Sequence, residues 1–142
     1  MIYLKQQYAL FISWVIALVA MLGSLYFSEI QGFVPCTLCW YQRICMYPLV
    51  IILGIGSFQN DGNVKKIALP FSIIGLLIST WHYLEQKVPG FADIKPCTQG
   101  VPCSSEYING LGFITIPFLA GIAFLSISLI LIFSKKDKEI LK

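Results

Sequence analysis

The sequence predicts an all-α integral membrane protein, a four-helix transmembrane bundle with both termini cytoplasmic and two cysteine-bearing extracytoplasmic loops. Three observations lead there. The 142 residues are 57% hydrophobic and only 12% charged, against roughly 25% charged in an ordinary soluble domain. The apolar residues fall in four runs of about twenty, the length a bilayer-spanning helix needs. The lysines are shared unequally between the two ends of those runs. A soluble chain this small could not hide so much apolar surface, so lipid is its natural solvent. The whole chain, residues 1–142, reads as one domain.

The first run covers about residues 8–27. Lys5 precedes it, as it would a signal peptide, but the run is long for an h-region and no A-x-A cleavage site follows; an uncleaved first span is expected. The second run, about 39–58, begins inside "PCTLCWYQR". The third covers about 67–84 and ends in "WHYLEQK", and the fourth covers about 113–133. None carries a charge in its middle. Tyr8, Trp40, Tyr41, Trp81 and Tyr83 stand at span ends, where aromatic rings anchor to the membrane interface.

Charge orients the bundle. Lys5, Lys65, Lys66, Lys135, Lys136, Lys138 and Lys142 fall on one side; Arg43, Lys87 and Lys95 fall on the other. The positive-inside rule places the first group in the cytoplasm, with both termini and the turn "QNDGNVKK". Asp61 and Gly62 supply the turn residues. The long polar connection from Glu85 to Gly112 is then extracytoplasmic, and a loop of that length usually has a job. Nucleic acid is excluded as a partner, because the lysines sit beside apolar runs and not on a polar domain face.

Of the five cysteines, Cys36, Cys39, Cys97 and Cys103 belong to the extracytoplasmic side, where disulfides persist. Pro35 suits the first turn of a helix. At about 100° per residue, Cys39 then lies near 300° and Arg43 near 340° from Cys36, whereas Cys45 lies near 180°. Spacing separates a Cys36–Cys39–Arg43 face from a bystander, Cys45, expected to be a small buried hydrophobe. A helix N-terminus and a guanidinium both favour the thiolate, the species that attacks disulfides or passes electrons. Arg43 at the membrane boundary can stay charged and hydrogen-bond an electronegative group such as a quinone carbonyl. His82, the only histidine, lies at the outer end of the third span. It is either an interfacial residue at a helix C-terminus or a hydrogen-bond partner for a cofactor shared with Arg43. Two plainer readings of the cysteines remain. Four of them could bind zinc, although "TQGVP" separates Cys97 from Cys103 more widely than zinc knuckles do. They could also only brace loops.

"CTLCWYQR" followed by an apolar run resembles the signature of the disulfide bond formation protein B family. "WHYLEQK", the second cysteine pair and "GFITIPFL" are similar to the smaller Gram-positive, C-type thiol–disulfide oxidoreductases, and the resemblance covers nearly the whole chain. It implies a bacterial plasma-membrane enzyme that reoxidises an extracytoplasmic thioredoxin-like thiol oxidase and passes the electrons to a quinone, menaquinone or ubiquinone, supporting disulfide formation in secreted proteins. By resemblance Cys36 and Cys39 are the pair near the quinone, Cys97 and Cys103 the pair that meets the partner, and Arg43 and His82 quinone-site residues. The implied order is attack by the partner on Cys97, transfer from Cys103 to Cys36, and release of Cys39 as a thiolate. The chain departs from Gram-negative members in its narrower second cysteine pair and in Gln42, where they carry an acid; no catalytic role is expected to depend on the latter. Two alternatives stay open. One is a quinone reductase of the vitamin K epoxide reductase type, in which the loop pair precedes the Cys-x-x-Cys. The other is a structural membrane protein with loop disulfides.

Overall fold

A computed structural model describes residues 2–32, 34, 37–88, 90 and 115–134. Four helices account for nearly all of them. Helix α1 runs Ile2–Leu25 and continues in a π-helical turn, Tyr26–Ile30. Helix α2 runs Thr37–Gln59, α3 Lys65–Lys87 and α4 Ile116–Phe133. All four are long and apolar enough to cross a membrane. Helices satisfy this requirement because hydrocarbon offers backbone N–H and C=O groups no other partners.

The helices pack in a ring, each against two neighbours: α1 on α2 and α4, α3 on α2 and α4. Leu10, Ala17, Leu49, Leu53, Phe124 and Ile127 are fully buried along the axis. The outer faces carry exposed apolar side chains such as Val19, Ile51, Leu77 and Ile122. Lipid tails are as apolar as these residues, so helix association must come from close packing and interhelical hydrogen bonds. Both are present. Gly75 has no room for a Cβ, because the Phe124 ring lies where it would stand. A Cβ on Gly54 would come 2.9 Å from Trp14 Nε1. Ser72 Oγ donates to the Phe124 carbonyl at 2.9 Å and lies 2.7 Å from Ser128 Oγ, which ties α3 to α4 at mid-depth.

The α2–α3 turn sits at one end. Asn60 adopts φ 55°, and the Asp61 carboxylate accepts from the Asn63 backbone N–H at 2.9 Å, capping the 3₁₀ turn Gly62–Val64. Next to it Lys65 turns inward. Its Nζ donates to the Ser134 carbonyl at 2.8 Å and to Ser134 Oγ at 2.7 Å, placing a cation at the C-terminus of α4, where the helix dipole favours it. Pro48 and Pro70 lie inside α2 and α3; packed membrane helices tolerate proline because neighbouring groups satisfy the carbonyl it frees. The opposite end of the bundle carries Cys39.

Candidate functional site

Helix α2 supplies Cys39, Gln42 and Arg43 to the head of the bundle. They follow at i, i+3 and i+4, so their side chains lie within one sector of the helix. All three line a cavity of about 580 Å³ between α1, α2 and α4. That volume is in the range of small-molecule sites. Its other walls are mostly apolar, among them Ile16, Ala20, Phe27, Leu119 and Ala123. Val19 and Ile122 line the cavity and are also exposed on the outer surface, so it opens sideways between α1 and α4.

Arg43 leans towards α1. Its Nη2 donates to the Ser24 carbonyl at 3.0 Å, and its guanidinium carbon stands 5.3 Å from the centroid of the Trp40 ring. Ser24 belongs to the last α-helical turn of α1, just before the π-helical turn. The guanidinium has five N–H donors, and one bond to Ser24 leaves others for a ligand. Tyr47, one turn deeper, also lines the cavity, and its buried hydroxyl has no hydrogen-bond partner among the described residues.

Gln42 leans the other way, towards α3. Its Nε2 lies 3.0 Å from His82 Nδ1, and both residues are buried. His82 is therefore enclosed within the bundle, and it stands behind Gln42 without lining the cavity. Sequence reasoning gave Gln42 no role. The available signal was an amide three residues beyond Cys39 in an apolar run, which needs a partner once buried. Beside it Leu38 is buried against Cys39, Ile78 and Trp81, and the Trp81 indole donates to Glu85 Oε1 at 3.1 Å. This cluster closes Cys39 on the side of α3.

Cys45 is buried in the main core and takes no part in the cavity wall. Cys36, Cys97 and Cys103 lie outside the described residues, as does most of the connection between α3 and α4. Among the described residues no three His, Cys, Asp or Glu side chains gather as metal ligands would.

The model of the disulfide bond formation protein DsbB family matches residues 6–134. The chain belongs to the DsbB family. It is 67% identical over 130 residues to disulfide bond formation protein C of Bacillus subtilis, covering 92% of this chain and 94% of that one. It is 58% identical over 115 residues to the probable disulfide formation protein C of Halalkalibacterium halodurans, with 81% and 84% covered. A probable disulfide formation protein of Coxiella burnetii is 46% identical over 140 residues, with 96% and 95% covered. No solved structure gives a significant match. Membership of the DsbB family and four membrane-crossing helices make this a multi-pass membrane protein.

Proposed function

We propose that the chain is a membrane thiol–disulfide oxidoreductase that reoxidises an extracytoplasmic thioredoxin-like thiol oxidase and delivers the electrons to a membrane quinone. One observation carries this reading: Cys39 and Arg43 share the wall of an apolar cavity that opens sideways into the lipid. A thiol that reacted only with soluble partners would need no such opening. The residues present fit a quinone. Arg43 offers N–H donors for a carbonyl, Tyr47 brings a hydroxyl with no partner among the described residues, and the apolar walls suit an isoprenoid tail. A bound quinone supplies a two-electron, two-proton acceptor soluble in the membrane.

The protein's own steps are thiol exchanges. A partner thiolate attacks Cys97, the Cys97–Cys103 bond breaks, and Cys103 leaves as a thiolate. Cys103 attacks Cys36, and the Cys36–Cys39 bond breaks to release Cys39. The partner's second thiol displaces Cys97 and leaves oxidised. Cys97 then attacks Cys103, which restores that disulfide and frees Cys36. Cys36 and Cys39 give up two electrons and two protons as they re-form their disulfide. Arg43 orients the acceptor. His82 belongs to the same site through Gln42. The relatives' names, which speak of disulfide formation, support the reading. The lysine distribution supports a location in the bacterial plasma membrane with the active cysteines outside. A reporter fused after Lys142 should be cytoplasmic and one inserted at Gly90 external; the reverse would put the thiols in a reducing space and end this reading. The biochemical test is anaerobic turnover of purified protein with reduced partner and a quinone, in which quinone loss should match partner oxidation one to one.

A further inference from the structure

The buried pair of Gln42 and His82 has no part in the thiol chemistry, yet Gln42 stands on the cavity wall. With the amide nitrogen 3.0 Å from His82 Nδ1, Gln42 Nε2 donates and the ring accepts through the Nδ1 lone pair, the tautomer that matches this placement of the amide. Among the described residues His82 is the sole hydrogen-bond partner of the Gln42 side chain. The Gln42 carbonyl oxygen is not among the buried polar atoms left without a partner. Were the amide turned over, that oxygen would face the lone pair of Nδ1. With the amide in this orientation, the end left for the cavity is the acceptor.

The cavity wall then carries two complementary groups on adjacent residues: donors on Arg43 and an acceptor on Gln42. The two redox forms of a quinone differ in this respect. The oxidised ring presents oxygens that only accept, and the reduced ring presents hydroxyls that donate. Arg43 suits the first and Gln42 the second. We propose that the Gln42 carbonyl oxygen is the acceptor for the hydroxyl of the reduced carrier, and that His82 is a positioning residue that acts only through Gln42. The inference rests on the quinone reading above.

The test is equilibrium binding to the full chain in lipid nanodiscs, followed by quenching of tryptophan fluorescence. A Cys39→Ser parent prevents turnover. The probes are a short-tailed menaquinone and, anaerobically, the corresponding quinol. Gln42→Met should weaken quinol binding about tenfold, as loss of one buried hydrogen bond does, and change quinone binding less than about twofold. His82→Asn, whose Oδ1 can replace Nδ1 as acceptor, should keep the parent's ratio of the two affinities. His82→Phe should weaken quinol binding as Gln42→Met does, and the double variant should be no worse than either single one. Should Gln42→Met not fold, the His82→Asn and His82→Phe pair makes the same comparison. An unchanged ratio in Gln42→Met or His82→Phe overturns the inference, and so does a selective loss of quinone binding in His82→Phe. A parent that binds neither form overturns the quinone reading and this inference with it; a parent that binds both with Gln42-independent affinities overturns the inference alone.

Discussion

Replacing Arg43 with lysine separates anchoring from recognition. In the structure the guanidinium does three things at once: it donates to Ser24 at 3.0 Å, stacks over Trp40 at 5.3 Å and faces the cavity. Lysine keeps the charge and can reach a single carbonyl, but it loses the planar fork. If the ammonium takes over the bond to Ser24, the α1–α2 contact survives, but its remaining N–H groups sit on that one nitrogen and no longer span from Ser24 to the quinone as the fork does. A hydrogen bond from a charged group contributes about 1.5–3 kcal/mol, which corresponds to a rise of about tenfold to a hundredfold in the KM for quinone. Thermal stability of Arg43→Lys should fall by less than about 1 kcal/mol, while Arg43→Met, which removes the bond to Ser24 altogether, should lose about 1–3 kcal/mol. The assay is steady-state quinone reduction across quinone concentrations, with melting of the same preparations. Exchange between partner and loop cysteines in one quinone-free turnover should be unaffected. An unmoved KM in a folded Arg43→Lys protein would refute the quinone role and leave Arg43 as a strut between α1 and α2.

The other expectations concern the bundle and the odd cysteine. Cys45→Ala should keep most of the turnover, since Cys45 is buried away from the cavity, whereas Cys39→Ala should abolish it; loss of turnover in a folded Cys45→Ala protein would contradict the assignment. Gly75→Val would drive a side chain into the Phe124 ring and should cost about 1–3 kcal/mol of stability, read by thermal or detergent unfolding. Ser72→Ala breaks the link to Ser128 and the Phe124 carbonyl, and should cost about 0.6 kcal/mol, with about 1.7 as the upper end for such bonds in a membrane. Lys65→Met removes two hydrogen bonds at the end of α4 and should lower stability by about 1–3 kcal/mol without altering the KM for quinone.

The four spans were legible because apolar run length reports the thickness of the bilayer. Helix ends were less so, because hydrogen bonding and not hydropathy sets them. Helix α1 begins at Ile2, six residues before the apolar run, since Lys5, Gln6 and Gln7 can be helical in water as well as beside lipid. Helix α4 begins at Ile116, after Thr115, with a proline in its first turn. In the site, Cys39 and Arg43 could be placed together from their spacing on one helix. The tie from Arg43 to Ser24 could not, because its acceptor is a backbone carbonyl that every residue possesses. The pairing of Gln42 with His82 joins two helices forty positions apart, and periodicity within either helix says nothing about it. Lys65 reads as one more loop cation, yet it is buried at the end of α4; its contact with Ser134 spans 69 positions.

The most direct measurement reduces the purified protein fully, removes the reductant under anaerobic conditions, adds a quinone in steps and counts thiols by alkylation and mass spectrometry. The redox reading predicts two thiols lost for each quinone reduced, with Cys36 and Cys39 the first to become protected. It also predicts no quinone reduction in Cys36→Ala or Cys39→Ala. Quinone consumed without loss of thiols, or Cys36 and Cys39 remaining alkylatable while quinone is in excess, would contradict it.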